Sequence, residues 1–319
     1  MKQDVLPALP FIIVHKERIM MRRFFFFLLP VAIFLLSNTA AGMTVTDEIG
    51  RTVSVPSPPQ RIVSLAPNIT ETLFAIGCGD RIAGVTTWCN YPVEARLKPR
   101  VGDILNPSLE TIVSLVPDLI IATADGNRKE TVDMLARMNY AVYVVNPSSI
   151  EGVFSMIRHL GRVTAQEKQA ETLVTGLRAR VERITSQARL LPRPPVFFQV
   201  GSGALISAGR HTFLDELITT AGGTNIFGDS PVRYPKAGIE EVVMRMPEVI
   251  IITAMDSGDT TCAASRDWLR WDTIPAVRTG RIHCIDADLV TRPSPRIIEG
   301  LERLFDIIHP EVKNEGALF

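Results

Sequence analysis

The sequence predicts an α/β fold of two similar lobes, and three observations carry the prediction. Residues 108–123, SLETIVSLVPDLIIAT, recur 130 positions later as residues 238–253, GIEEVVMRMPEVIIIT. Each copy reads as a short helix with apolar residues at helical spacing, a proline that stops it, an acid, and an apolar run of buried-strand length. Further apolar runs alternate with helical stretches, the pattern of a parallel sheet. A long amphipathic stretch then separates the two copies. A repeat at this distance excludes a solenoid of 20–50-residue units and favours two lobes with a cleft between them.

Taken in order, the chain first offers Met21-Arg22-Arg23, thirteen uncharged residues at 24–36, and the small residues Ser37-Asn38-Thr39-Ala40-Ala41. This is the pattern of a cleaved secretory signal peptide occupying 1–41, with residues 1–20 as an upstream extension. Its apolar core is short of the ~20 residues that a membrane-spanning helix needs. No cysteine stands at the cleavage region, so a chain exported without a lipid anchor is expected. Residues 42–319 carry 29 basic and 32 acidic side chains, a net charge of about −3, which offers no basic surface to a nucleic acid.

The expected organisation is an α/β lobe over residues 42–160, a linking helix over 161–191 and a second α/β lobe over 192–319. Residues 44–56 alternate apolar and polar side chains around Glu48-Ile49-Gly50-Arg51, as a β-hairpin does. A strand at 61–65 follows the proline-rich link, and a helix opens at Ala66-Pro67-Asn68, with Asn68 as N-cap and Glu71 as its capping-box partner. Strands are expected at 82–87, 119–122 and 141–145. In the linking stretch, Thr164 and Glu167 form a second capping box, while Leu173, Val174, Leu177, Val181 and Ile184 mark one stripe. A helix over 164–190 would span roughly 40 Å. Leu191-Pro192-Arg193-Pro194-Pro195 ends it, and a strand at 196–200 begins the second lobe. With prolines at this junction instead of glycine and serine, small lobe motion is expected.

Four cysteines, Cys78, Cys89, Cys262 and Cys284, follow the signal segment into an oxidising compartment. Three full pairings are possible. Cys262 with Cys284 is favoured, because Cys78 and Cys89 sit in segments that offer burial or another role.

Ligands of open α/β sheets sit beyond the carboxyl ends of the strands. There the first lobe offers Pro67, Trp88-Cys89-Asn90-Tyr91 and Thr123-Ala124-Asp125. The second offers Gly201-Ser202-Gly203, Met255-Asp256, and Asp286-Ala287-Asp288 followed by Arg292. Aromatic faces with a few polar groups suit a large, flat, amphipathic small molecule. Trp88 and Tyr91 also read as packing residues, and Asp288 and Arg292 as a simple ion pair. Catalysis finds little support. His159, His211, His283 and His309 are scattered, and no HExxH or GxSxG motif occurs. Cys89 has no evident basic neighbour to lower its pKa, so a buried or paired thiol is favoured over a nucleophile or soft metal ligand. No enzymatic activity and no protein-held metal or cofactor are expected.

Several motifs occur in order: Thr46-Asp47-x-x-Gly50-Arg51-x-Val53-x-Val55-Pro56; Arg61-Ile62-Val63-Ser64-Leu65-x-Pro67-x-x-Thr70-Glu71; Gly102-Asp103 with Asn106-Pro107-Ser108-Leu109-Glu110; and Ala221-Gly222-Gly223-Thr224-Asn225-Ile226-Phe227. They resemble the periplasmic binding proteins of metal-chelate ABC importers, over almost the whole chain after residue 41. Asn90-Tyr91-Pro92, Arg233-Tyr234-Pro235 and Arg292-Pro293-Ser294-Pro295-Arg296-Ile297-Ile298 are most similar to the members that carry vitamin B12.

The resemblance implies two Rossmann-like lobes joined by one long rigid helix, the helical-backbone or class III arrangement. It also implies a periplasmic monomer that captures cobalamin or a related cobalt corrinoid and delivers it to an ABC permease dimer with its ATPase subunits. Ligand contacts are implied at Pro67, Trp88, Tyr91, Ile104 and Thr123 in the first lobe. In the second they are implied at Ile206, Tyr234, Asp288 and Arg292. Ile104, Thr123 and Tyr234 stand where the B12 carriers place tryptophan, which keeps a trimmed corrinoid, a ferric siderophore or haem open as alternatives. Haem would take Tyr91 or His211 as axial ligand. A secreted metal chaperone or enzyme using Cys89 and a histidine is the rival from another class.

Glu110 and Glu240 match the acids that dock this family onto its permease. Equivalent carboxylates on two related lobes also suit a two-fold symmetric partner. Read without the family, both are first-turn acids that stabilise helix N-termini, Glu110 following an Asn106 cap and Pro107.

Overall fold

The computed structural model describes residues 42–315 apart from 202–203 and 255–263. The signal segment, Ser202, Gly203, Met255, Asp256 and Cys262, singled out above, lie outside the described residues.

An antiparallel hairpin of β1 (Met43–Thr46) and β2 (Thr52–Val55) comes first. The first lobe continues through β3 (Ile62–Ser64), α1 (Pro67–Ala75), β4 (Ile82–Val85), α2 (Leu109–Ser114), β5 (Leu119–Thr123), α3 (Lys129–Arg137), β6 (Val142–Val145) and α4 (Ile150–Val163). Its four parallel strands lie in the order β4-β3-β5-β6. The hairpin covers the β6 edge: the buried Asp47 carboxylate accepts from the Val144 amide at 3.3 Å, and the Glu48 amide donates to the Val144 carbonyl at 3.0 Å.

After the linking helix α5 (Glu167–Ala188), the chain builds β7 (Pro195–Gln199), α6 (Phe213–Thr220), β8 (Thr224–Asn225), α7 (Ile239–Met244) and β9 (Val249–Ala254). It ends with α8 (Ser265–Trp268), α9 (Pro275–Arg278), β10 (Ile282–Asp286), α10 (Ala287–Thr291), α11 (Ile297–Ile308) and α12 (Pro310–Glu315). The second sheet runs β10-β9-β7-β8, again all parallel. Numbered from the start of its own lobe, each sheet has the strand order 2-1-3-4, so the repeated sequence marks a repeated topology. This is the doubly wound arrangement, in which a crevice opens at the carboxyl ends of the strands where the winding reverses.

Each sheet buries one face in a private apolar cluster, with Val63, Ile120 and Val144 in the first lobe and Phe197, Ile250 and Trp268 in the second. The opposite faces share one cluster. It runs from Ile69 and Ile157 through Val174, Leu177 and Ile184 of α5 to Leu301 and Leu304 of α11. Ion pairs reinforce the shared helix on both sides: Arg178 meets Glu151 of α4 at 2.7 Å, while Arg180 and Arg183 both meet Glu302 of α11. Among the described residues no helix is long and apolar enough to cross a membrane.

Three expected caps are corrected. Helix α1 starts two residues earlier, with Ala66 as N-cap and Pro67 as first helical residue, because proline needs no amide partner there and its φ is already helical. Glu71 therefore caps nothing. Thr164 closes α4 instead of opening α5; its hydroxyl donates to the Leu160 carbonyl at 2.6 Å, and Gln166 stands at the start of α5. At 22 residues α5 is roughly 33 Å long, shorter than the 164–190 reading. Ser108, not Asn106, caps α2, accepting from the Thr111 amide at 3.2 Å. Cys284 is disulfide-bonded, whereas Cys78 and Cys89 are free and buried.

Candidate ligand-binding cavity

Beyond the strand ends of the first lobe, one buried amide organises the loops. Asn127 Nδ2 donates to the Leu65 carbonyl at 3.0 Å and the Ile104 carbonyl at 2.7 Å, and its Oδ1 accepts from the Thr123 amide at 2.8 Å. The segments after β3 and β5 and the loop bearing Ile104 are thereby held together. Arg100 fixes the loop after β4 by donating to the Thr86 and Cys89 carbonyls at 2.8 and 3.0 Å. Cys89 itself points into the core, where Thr70 Oγ1 donates to its sulfur at 3.1 Å.

In the second lobe, Ile206 bridges Val200 and Lys236, and Gly209 donates its amide to the Arg233 carbonyl at 2.8 Å. A β-carbon on Gly209 would fall 1.9 Å from the Val232 carbonyl oxygen, so the loop presenting Arg233 and Tyr234 depends on glycine there. Helix α10 follows β10 directly and is capped by Asp286, which accepts from the Asp288 amide at 2.9 Å.

Between these loops lies a cavity of about 570 Å³, within the usual range for small-molecule sites. From the first lobe it is lined by Pro67, Trp88, Ile104 and Thr123, and from the second by Tyr234, Asp288 and Arg292. Trp88 and Tyr234 leave much of their rings uncovered, at 55% and 49% exposure. Tyr91 and Ile206 are not among its lining residues. The Tyr91 ring lies under the Arg296 guanidinium, whose carbon is 4.0 Å from the ring centroid. Ile206 belongs to the bridge behind the Tyr234 loop. His211 is exposed, with φ of 62°, and does not line the cavity either.

One polar seam joins the lobes at the cavity wall. Arg292 Nη2 pairs with Asp288 at 2.7 Å, and Nη1 donates to Asn90 Oδ1 at 2.6 Å. Asn90 Nδ2 in turn donates to Asp288 Oδ2 at 3.1 Å. Behind the seam sits Glu71, 3% exposed. Its Oε2 accepts from the Ser294 hydroxyl at 2.6 Å, its Oε1 accepts from Arg292 Nη1 at 3.2 Å, and Arg296 Nη1 is 3.6 Å away. Burial pushes the Glu71 carboxyl above its ordinary value, against the opposing pull of Ser294, Arg296 and Arg292.

Sequence reasoning found the strand-end positions and missed the seam's partners. In the sequence Glu71 reads as a local cap, Asn90 as one of several strand-end residues, and Ser294 and Arg296 as motif letters only. The run Arg292-Pro293-Ser294-Pro295-Arg296 was the available signal, since two prolines around a serine restrict its backbone to extended conformations. Among the described residues no group of three or more His, Cys, Asp or Glu is gathered to hold a metal.

The periplasmic binding protein family model matches residues 62–289. The chain is 31% identical over 280 residues to YvrC of Bacillus subtilis, an uncharacterised ABC transporter substrate-binding lipoprotein, covering 86% of this chain and 87% of that one. The crystal structure of the periplasmic vitamin B12-binding protein BtuF of Vibrio cholerae superposes with a TM-score of 0.70 at 28% identity, covering 79% of this chain and 97% of BtuF. The periplasmic haem-binding protein RhuT of Roseiflexus sp. RS-1 superposes with a TM-score of 0.71 at 26% identity, covering 79% and 98%.

Proposed function

The chain belongs to the periplasmic binding protein family, and from that premise we propose that it captures cobalamin or a related corrinoid and delivers it to an ABC permease. At the coarser level it is the substrate-binding protein of an ABC importer for metal chelates, a non-enzymatic transport component. In this reading the signal segment 1–41 is removed on export to the periplasm. The lobes over 42–160 and 192–319, on either side of the 161–191 link, then work as a monomer.

The observation that carries the corrinoid reading is the cavity's pairing of uncovered aromatic faces with a charged and amide edge. Trp88 and Tyr234 offer flat apolar contact from opposite lobes, while Asn90, Asp288 and Arg292 offer donors and acceptors to the amide rim of a corrin ring. Cyanocobalamin brings its own axial ligands, so it asks for no metal ligand from the protein. Haem does ask for one. Tyr91 and His211, the residues expected to serve it, are not among the lining residues, which leaves Tyr234 as the phenol placed there. The chaperone or enzyme reading loses its nucleophile, because Cys89 is fully buried.

Glu110 and Glu240 each occupy the second position of their helix, α2 and α7, and are exposed. Neither forms an ion pair or side-chain hydrogen bond with a described residue. Such unengaged, topologically equivalent acids suit docking onto basic residues of a two-fold permease.

The test is calorimetric titration of residues 42–319 with cyanocobalamin, cobinamide, haemin and a ferric hydroxamate. One-to-one binding of cyanocobalamin at about −8 kcal/mol or better is expected. Heat from haemin or the hydroxamate alone would move the ligand within the same importer class.

A further inference from the structure

We propose that Glu71 is a positioning residue for this cavity: from the first lobe it fixes the Arg292 guanidinium that the second lobe contributes to the wall. The inference rests on reading the cavity as the ligand site. Arg292 and Asn90 line the cavity; Glu71 does not. The guanidinium is gripped at two nitrogens. Nη2 is held by Asp288, four residues away at the start of the short helix that Arg292 follows, and Nη1 is held from the other lobe by Glu71 at 3.2 Å and Asn90 at 2.6 Å. Asp288 alone leaves the guanidinium free to turn about that single contact, and the cross-lobe contacts remove the freedom.

Glu71 is itself fixed. It lies in the buried part of α1, and Ser294, between Pro293 and Pro295, donates to it at 2.6 Å. The same Ser294 oxygen accepts from the Arg296 amide at 3.2 Å. An exposed ion pair would contribute little, but a buried carboxylate whose Oε1 faces two guanidinium groups, at 3.2 Å from Arg292 and 3.6 Å from Arg296, is costly to leave unpaired. Glu71 thus acts on a ligand only through the orientation of Arg292.

Two readouts test this, and the first needs no ligand. In ligand-free protein with ¹⁵N-labelled arginine, the Arg292 Nη1–H resonance is expected to be ordered and slow to exchange with solvent. In Glu71→Gln it should become averaged and fast-exchanging, and in Glu71→Asp it should be partly restored. An unchanged resonance in Glu71→Gln would overturn the proposal. The second is a double-mutant cycle read as the Kd for cyanocobalamin, with folding verified by circular dichroism. Glu71→Gln should weaken binding about tenfold, and adding it to Arg292→Gln should weaken binding no further. Additive losses would mean that Glu71 acts independently of Arg292 and would overturn the proposal. If Arg292→Gln fails to fold, the resonance measurement on Ser294→Ala replaces the cycle, and a guanidinium as ordered as in the unaltered protein counts against the proposal. Absence of cyanocobalamin binding to the unaltered protein overturns the corrinoid reading alone, because the resonance still decides on Glu71.

Discussion

In the first copy of the repeated unit, α2 begins at Ser108, whose hydroxyl accepts the Thr111 amide; in the second, Gly238 holds that place and α7 begins with no side-chain cap. The far ends differ as well. The carbonyls of Leu115 and Val116 are bound by Arg61, an arginine from outside the unit. In the second copy the arginine is internal: Arg245 reaches back to Glu241 and Asp229, donates to the Ile226 carbonyl and stacks on Phe227. Between these different supports the backbone is the same. Val116 and Met246 both turn left-handed, with φ of 47° and 46°, immediately before a buried proline and a parallel strand. The shared geometry presents one acid at the second helical position of each copy, whichever side chains hold the unit in place.

The largest expected effect tests whether that shared geometry serves a partner. Glu110→Ala with Glu240→Ala should lower uptake of labelled cyanocobalamin by at least about tenfold while its Kd for the isolated protein is unchanged. Each single change should give a smaller loss, and full uptake by the double variant would refute docking. Next come the unlike supports. Arg245→Ala should cost about 2 kcal/mol in urea unfolding, because it removes two carboxylate contacts, a carbonyl contact and a stacked ring. Arg61→Ala should cost about 1 kcal/mol, since it removes hydrogen bonds alone. Val116→Gly, at a side chain 69% exposed, should stabilise by about 0.5–1 kcal/mol, as relief of the left-handed strain outweighs the entropy of glycine. Met246→Gly should behave alike, and a difference between the two would break the equivalence. The smallest effects transplant the cap: Ser108→Ala should cost about 1 kcal/mol, and Gly238→Ser should gain a few tenths.

How much was readable in advance follows the same division. The strands at 119–123 and 249–254 were legible because a strand buried on both faces must be apolar throughout, and that signal is local. The strand-end rule likewise led to Pro67, Trp88, Thr123, Asp288 and Arg292, all of which line the cavity. Two of the caps, at Thr164 and Asn106, were displaced within a turn of the chain, whereas Glu71 has non-local partners. Glu71 stands three residues after Asn68, as a capping box requires, yet its partners are Arg292 and Ser294, 221 and 223 positions away. No window of a few residues distinguishes these cases. Tyr91 differs for a related reason: it is close in sequence to Trp88, but its ring lies under the Arg296 guanidinium and it is not among the cavity's lining residues.

The cluster shared through α5 has a consequence for how the molecule melts. Two copies of a unit suggest two independent transitions, one per lobe. Yet Val174, Leu177 and Ile184 pack in the same apolar mass as Ile157 and Leu160 on one side and Leu301 and Leu304 on the other. Neither half can lose its inner face without wetting the helix the other half needs. Heat should therefore take the chain apart in a single step, with calorimetric and van't Hoff enthalpies that agree. In that sense the duplicated chain is one cooperative body, and a lobe cut out alone would carry an uncovered core.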